Sequence, residues 1–289
     1  MPPANTSSPL AVSTGMISLA LEPGKTYEGE FFVINPVLSD QKSYYSVSVG
    51  PLNFEDEFYS PSFDRYTDFN QIVDWITVED PRGSLDPQER RAIKYKITVP
   101  EDVPGGGQYA SFLVSYDAEA ATAQEKNIGV VNRSRIAILL YATVAGETRE
   151  EGSVIENNVG AIYLDQPIKT SSLIINSGNV HIPAKYTLRI YPLFGDEELY
   201  TNEEDPVNNT VIPDTTLYNE KVWEDTPVLG LFRIEQEIDF GDKYNVKSSL
   251  ALVAPSWFII LCLLFLMAII YAIIEHIHKI KPKNPHKKS

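Results

Sequence analysis

Four histidines and one cysteine are the side chains of this 289-residue chain best suited to proton transfer, nucleophilic attack or soft-metal ligation. Cys262 lies inside an uncharged apolar run, and His276, His278 and His286 all follow that run. Only His181 precedes it, within Asn179-Val-His-Ile-Pro, among apolar neighbours at the start of a candidate strand; a structural imidazole is expected there, not a general base. No Gly-x-Ser-x-Gly elbow offers a nucleophile, and histidine-ligated zinc lacks a ligand set. Pro104-Gly-Gly-Gly lacks the Lys-Ser/Thr of a phosphate loop and leads into a strand. His276 and His278 stand two apart, so on a helix they do not share a face. Carboxylates are plentiful, 39 in all with only Glu275 beyond the apolar run, and abundance makes any single pair uninformative as a glycosidase dyad. Asp196, Glu197, Glu198, Glu203, Glu204 and Asp205 could gather oxygen ligands for calcium, but their spacing fits no EF-hand and a solvated acidic loop is the expectation. We expect no enzyme here: no catalytic residue, no cofactor-binding residue and no metal site.

The apolar run itself is the strongest signal in the chain. Leu250 to Ile274 carries no charge, and as a helix it extends roughly 37 Å, against about 30 Å of hydrocarbon in a bilayer. Trp257 and Tyr271 stand near its ends, where interfacial aromatics belong, and Lys279, Lys281 and Lys283 follow. These five residues are the expected anchor contacts with lipid. With Lys287 and Lys288, and set against Glu275, the tail carries +4; the whole chain is at −15, leaving −19 before the anchor. Short basic flanks favour the cytoplasmic side, so the tail is expected inside a cell membrane and the acidic bulk outside, crossed by a single pass. Residues 1–15 have neither the basic start nor the apolar stretch of a signal peptide. Export therefore implies a leader already removed or a misplaced start. The alternative is a cytosolic, tail-anchored tether that binds peptide motifs through a sandwich like that of the major sperm protein.

What must position any binding site is β-structure. A charge of −19 argues against nucleic acid as a partner. With the only cysteine in the anchor, no disulfide holds the preceding part, and packed cores must do so. Apolar residues alternate with a period of two over Met16–Leu21, Tyr27–Ile34, Tyr44–Val49, Ile76–Val78, Ala92–Val99, Gln108–Tyr116 and Arg135–Val144, separated by Pro-Gly, Asn-Pro and Gly-Pro turns. After a charged, Gly-containing hinge at Thr148-Arg-Glu-Glu-Gly, further strands are expected over Gly160–Leu164, Ile168–Asn176, Ala184–Tyr191, Leu217–Trp223 and Gly230–Asp239. The insertion Asn53 to Asp74 is rich in Phe and Tyr, whose burial calls for an ordered loop or short helix capping the first sandwich. Trp75 should be a core anchor; Tyr44, Tyr45, Phe58 and Tyr59 form a weaker candidate surface for stacking on sugars. Three sequons, at Asn5, Asn132 and Asn208, are near chance for this length. The halves echo each other: Phe31-Phe-Val-Ile-Asn-Pro before Tyr44, and Ser172-Leu-Ile-Ile-Asn-Ser-Gly before Tyr186.

Several longer runs resemble one family. Ile17-Ser-Leu-Ala-Leu-Glu-Pro-Gly-Lys-Thr-Tyr-Glu-Gly-Glu-Phe-Phe-Val-Ile-Asn-Pro, Trp75-Ile-Thr-Val, Leu85-Asp-Pro-Gln-Glu-Arg-Arg and Val103-Pro-Gly-Gly-Gly-Gln-Tyr-Ala are similar to the first immunoglobulin-like domain of WxL-interacting bacterial surface proteins. Ile174-Ile-Asn-Ser-Gly-Asn-Val-His-Ile-Pro-Ala-Lys-Tyr resembles their second. The resemblance implies an all-β fold of two tandem immunoglobulin-like β-sandwiches followed by one C-terminal transmembrane helix. It also implies a role in adhesion at the cell surface, the first domain engaging peptidoglycan and the second an exported surface or host protein. The expected organisation is a flexible segment 1–15, sandwiches over 16–147 and 148–249, a transmembrane helix over 250–274 and a basic cytoplasmic tail over 275–289.

Overall fold

The computed structural model describes residues 10–36, 42–116, 135–164 and 166–280, without the side chains of 207, 208 and 278–280. The described residues are all-β apart from two short 3-10 segments and one C-terminal apolar helix. The first half holds, among the described residues, β1 (Ala11–Val12), β2 (Met16–Leu21), β3 (Thr26–Ile34), β4 (Ser43–Pro51), β5 (Asn53–Phe54), β6 (Pro61–Ser62), β7 (Ile76–Val78), β8 (Arg82–Leu85), β9 (Arg90–Thr98), β10 (Gly106–Tyr116) and β11 (Arg135–Val144); β5 and β6 pair as a separate ribbon and the other nine build the first sandwich. One sheet runs β1-β3-β9-β7, the other β2-β11-β10-β4-β8. Strand alternation sets the faces: in β9, Ile93, Tyr95 and Ile97 point inward while Lys94 and Lys96 face water. Phe31, Tyr95 and Phe112 meet at the centre of a single continuous core, the Phe31 and Phe112 rings 5.2 Å apart.

The expected flexible start is shorter than 1–15. Leu10 is buried, and Ala11 and Val12 pair with Ile34 and Val33, because Leu10 and Val12 find apolar partners in the core. Residues 1–9 lie outside the described residues.

The second sandwich holds β12 (Gly152–Asn158), β13 (Ile162–Tyr163), β14 (Ile168–Asn176), β15 (Ile182–Pro192), β16 (Tyr200–Glu203), β17 (Thr210–Val211), β18 (Thr215–Trp223), β19 (Gly230–Phe240) and β20 (Lys243–Val253). A three-stranded sheet β12-β14-β18 faces the larger β13-β20-β19-β15-β16. The echo between the halves has a structural counterpart. In each, a strand of one sheet (β3, β14) ends just before or at a fully buried asparagine, Asn35 or Asn176, and the chain crosses to the other sheet (β4, β15). Asn176 Nδ2 donates to the carbonyls of Val180 and Val211; Asn35 Nδ2 donates to that of Leu85. A short amide thus satisfies backbone acceptors where the chain changes sheet.

The helix, α1, spans Ser256–Ile280, so the boundaries expected at 249/250 and at 274 both move. Leu250 to Val253 belong to β20, which pairs with β19 along its whole length, and Ala251 and Val253 are buried in the sandwich. Hydropathy cannot separate an apolar strand end from the apolar helix it feeds. Pro255 marks the break: its carbonyl accepts from the amides of Phe258 and Ile259, opening the helix two residues after the strand ends.

Candidate interaction surface

The aromatic insertion does more than cap one sandwich. Its 3-10 segment, Asp68–Trp75, lies on β10: Asn70 Nδ2 donates to the carbonyls of Leu52 and Tyr109, and the amide of Ile72 donates to Gln108 Oε1. Trp75 is buried in the first core, as its apolar context requires. The tip reaches across to the second sandwich. Tyr59 Oη accepts from the amide of Ile212 at 2.6 Å and lies 3.1 Å from Thr215 Oγ1, its ring stacked on Phe54 with centroids 3.8 Å apart. The amide of Tyr218 donates to the carbonyl of Glu57, and Phe58 meets the Tyr218 ring edge-on. Tyr59 holds φ = 61°, a left-handed backbone that an aromatic residue adopts only when its surroundings enforce it. Of the four residues considered for sugar stacking, Tyr45 is buried and Tyr59 is committed to the seam, Tyr44 is half-buried, and Phe58 is exposed yet engaged with Tyr218.

His181 belongs to the same seam. Its ring packs edge-on against Tyr109 and Tyr141, with Nδ1 3.3 Å from the Tyr109 hydroxyl, and those two tyrosines cluster with Leu52 and Ile212. Burial pushes its pKa below the usual histidine range, so it sits neutral as a packing group. The residues expected to act as a hinge are clamped: Arg149 and Asn179 exchange backbone and side-chain bonds, and Asn179 Nδ2 donates to the carbonyl of Glu147. Gly106, at φ = 136°, lets β10 start against Asn179, where a Cβ would stand 2.9 Å from the Asn179 carbonyl oxygen. The two sandwiches form one packed arm.

The acidic stretch 195–205 is folded rather than free. Glu203 pairs with Lys185, Glu198 with Arg189 and Asp196 with Arg233, while β16 pairs with β15. Glu204 holds the buried Lys221 ammonium at 2.7 Å and also accepts from Asn209 and Asn219. Among the described residues no cluster of His, Cys, Asp or Glu has metal-ligating geometry. Asn208 lies in the second 3-10 segment, Pro206–Asn209; Asn5 and Asn132 lie outside the described residues.

One long unpaired edge among the described residues was not expected from sequence. β20 pairs with β19 throughout, yet on its other side only Leu252 and Val253 are paired, with β13. From Lys243 to Ala251 the outer edge carries no strand among the described residues. Tyr244, Val246 and Leu250 are exposed on its outward face; Lys243, Asn245 and Lys247 share the inward face with buried Ala251 and Val253. Across the opening lies β12, likewise unpaired on that side, with a bulge at Ile155 that leaves this residue exposed. Asn157 spans the gap, donating to the Asn245 side chain at 2.8 Å and to the Gln236 carbonyl. Asn157 Oδ1 and Gln236 Oε1 are buried acceptors without partners. Unpaired backbone groups and unpartnered side-chain acceptors therefore lie along one seam. A composition of Lys, Ser and Asn hid this strand in the sequence; its alternation of Tyr244, Val246 and Leu250 was the available signal.

Of the anchor residues, Trp257 and Tyr271 are exposed on α1, near its start and two-thirds along it; Trp257 packs edge-on against Phe258. Lys279 is in the last turn of the helix, and Lys281 and Lys283 lie outside the described residues. Ser256–Ile277 is long and apolar enough to cross a membrane, and none of it is buried against the protein.

No protein-family model matches this chain, and no curated protein matches it in sequence. Among solved structures it is similar to the class 5 fimbriae chaperone CfaA, at 10% identity and a TM-score of 0.41, over 83% of this chain and 98% of that one. The CsuC-CsuE chaperone-tip adhesion subunit complex of Acinetobacter baumannii is similar at 11% identity and a TM-score of 0.38, covering 84% and 98%. The E. coli chaperone DraB is similar at 13% identity and a TM-score of 0.38, covering 84% and 97%.

Proposed function

We propose that this chain is a single-pass cell-surface binding protein whose two clamped sandwiches project from the membrane and capture an extended segment of another exported protein along the open edge of β20. The open edge is the observation that carries this reading. A guest strand would gain main-chain hydrogen bonds along Lys243–Ala251 and would meet Asn157 and Gln236 at mid-strand, where buried acceptors favour a donor-bearing guest. The basic tail supports this sidedness, since short basic flanks favour the cytoplasmic face. The order of two sandwiches and an anchor, shared with the WxL-interacting surface proteins that the chain resembles, supports the same role. Binding, rather than catalysis, is the activity we assign, with His181 neutral in the seam and the acidic loop spent on ion pairs.

The test uses neighbouring prolines. Along an edge strand the N–H groups alternate between the paired neighbour and the open side, so one of Val246→Pro and Lys247→Pro breaks the β19 ladder while the other removes only an outward donor. The variant that keeps wild-type stability should lose at least tenfold in photo-crosslinking to an exported partner from a probe at Tyr244 on intact cells. Undiminished crosslinking by that variant would sink the edge reading. Protection of the arm from external protease would sink the surface reading.

A further inference from the structure

We infer that the lower end of the second sandwich rests in the lipid interface, so that the arm stands on the bilayer at a fixed attitude rather than swinging from its helix. This inference rests on the reading of α1 as a membrane anchor.

The connection leaves almost no slack. β20 ends at Val253, and α1 begins at Ser256. Both intervening residues are engaged: the amide of Ala254 donates to the carbonyl of Tyr163, and the Pro255 carbonyl caps the first turn of the helix. Two residues span at most about 7 Å, so when Trp257 enters the interface the sandwich's end loops come with it.

Those loops are apolar on their outer surface. Ile162 and Leu164 flank the end of β20, with Ile162 opposite Leu252 in the parallel pair. Leu231 stands opposite Leu252 on the other side, and Val228 and Leu229 form the turn just before it. Phe194, 87% exposed, lies in a loop tied to Leu231 through the amide of Leu193. All six side chains sit within a rung or two of the helix entry. In the first sandwich, by contrast, the exposed large apolar side chains among the described residues are Met16, Phe58 and Tyr66, scattered over different elements. An apolar ring around a membrane entry point has one occupant that is always present, the lipid interface.

Charge selects the kind of lipid. Asp196, Glu197, Glu198, Glu224 and Asp225 share this end, with Arg233 and Arg189 among them as counter-ions. A zwitterionic leaflet suits such a rim; an anionic one repels it.

Nitroxide labels on the full chain in phosphatidylcholine nanodiscs test the inference, with Cys262→Ser as background and single cysteines at Leu229, Phe265 and Phe58. The label at 265 reports the anchor, that at 229 the seated end, and that at 58 the distal seam. We expect collisions with oxygen to exceed those with a water-soluble nickel chelate at 265 and at 229, and the reverse at 58. Replacing a third of the lipid by phosphatidylserine should lower the lipid signal at 229 at least twofold and leave 265 unchanged. Lipid access at 265 with full water access at both 229 and a second probe at Val228 overturns the seating while the anchor stands. Water access at 265 overturns the anchor itself.

Discussion

The two sandwiches share a topology and differ in how their interiors are filled. The first has one continuous apolar core from Leu21 through Phe31, Ile93 and Phe112 to Val144. The second has two apolar clusters, one around Ile168, Trp223, Phe232 and Ile234 near the helix, the other around Ile174, Tyr186, Ile238 and Phe240 near the first sandwich. Between them runs a polar belt of Thr170, Ser172, Asn219, Lys221 and Gln236, nearly all of it shut off from water. Buried polar groups cost free energy unless each finds a partner, and Thr170 Oγ1 and Gln236 Oε1 find none. The first sandwich therefore stabilises itself. The second draws support from Tyr59 on the side of the first sandwich, and its polar belt includes Gln236, which faces the open edge.

Cutting each core is the strongest way to break this comparison. Phe112→Ala empties the centre of the first sandwich and should cost about 3–5 kcal/mol in chemical denaturation, taking the whole arm down with it. A loss under about 1 kcal/mol would show that the first core is not the stable partner. In the second sandwich the sensitive point is ionic. Glu204→Ala leaves the Lys221 ammonium, 1% exposed, with only Asn202 as acceptor, and should cost about 2 kcal/mol, moderated because Glu204 itself reaches water. Lys221→Met removes the charge along with the need for a partner and should be neutral or slightly stabilising. If Lys221→Met proved as costly as Glu204→Ala, the belt would be a source of stability and the contrast would reverse.

Much of the fold was legible because period-two patterning is written residue by residue. Met16–Leu21, Arg135–Val144 and Ile168–Asn176 fall on strands with the same bounds. Besides short pieces of two to four residues such as β8 and β16, the strands that escaped are β12 and β20, edges exposed on both sides over most of their length, so no buried face imposes an apolar alternation on them. β20 was further hidden by its last four residues, whose hydropathy merges with that of the helix. The seam was half legible: the aromatics of the insertion announced burial, but only the fold shows that Tyr59 spends its hydroxyl on Ile212, 153 residues away. His181 followed the same logic. Its apolar flanks marked it as structural, while its partners Tyr109 and Tyr141 come from strands distant in sequence.

The seam offers the next test. Tyr59→Phe keeps the ring on Phe54 but leaves the Ile212 amide without its acceptor, and an unsatisfied buried donor costs about 1–3 kcal/mol. The loss should appear as faster hydrogen exchange at Ile212 and Thr215, with little change in the first core. Unaltered exchange there would mean that the second sandwich does not lean on the first.

The smallest effect is the one that acid should produce. His181 has its pKa lowered by burial, so below about 6.5 the unfolded chain binds a proton more readily than the folded one. Stability contributed by the neutral ring is complete above that pH and declines as pH falls toward the folded value. The charge would arise between Tyr109 and Tyr141, where burial disfavours it. Exchange at the seam should accelerate as pH falls below about 6.5 in the wild type and stay flat in His181→Phe, which keeps the packing and removes the proton site. Equal acid sensitivity in both proteins would place the titrating group elsewhere, among the acidic residues of the second sandwich, and would make that sandwich rather than the seam the first part of the arm to yield.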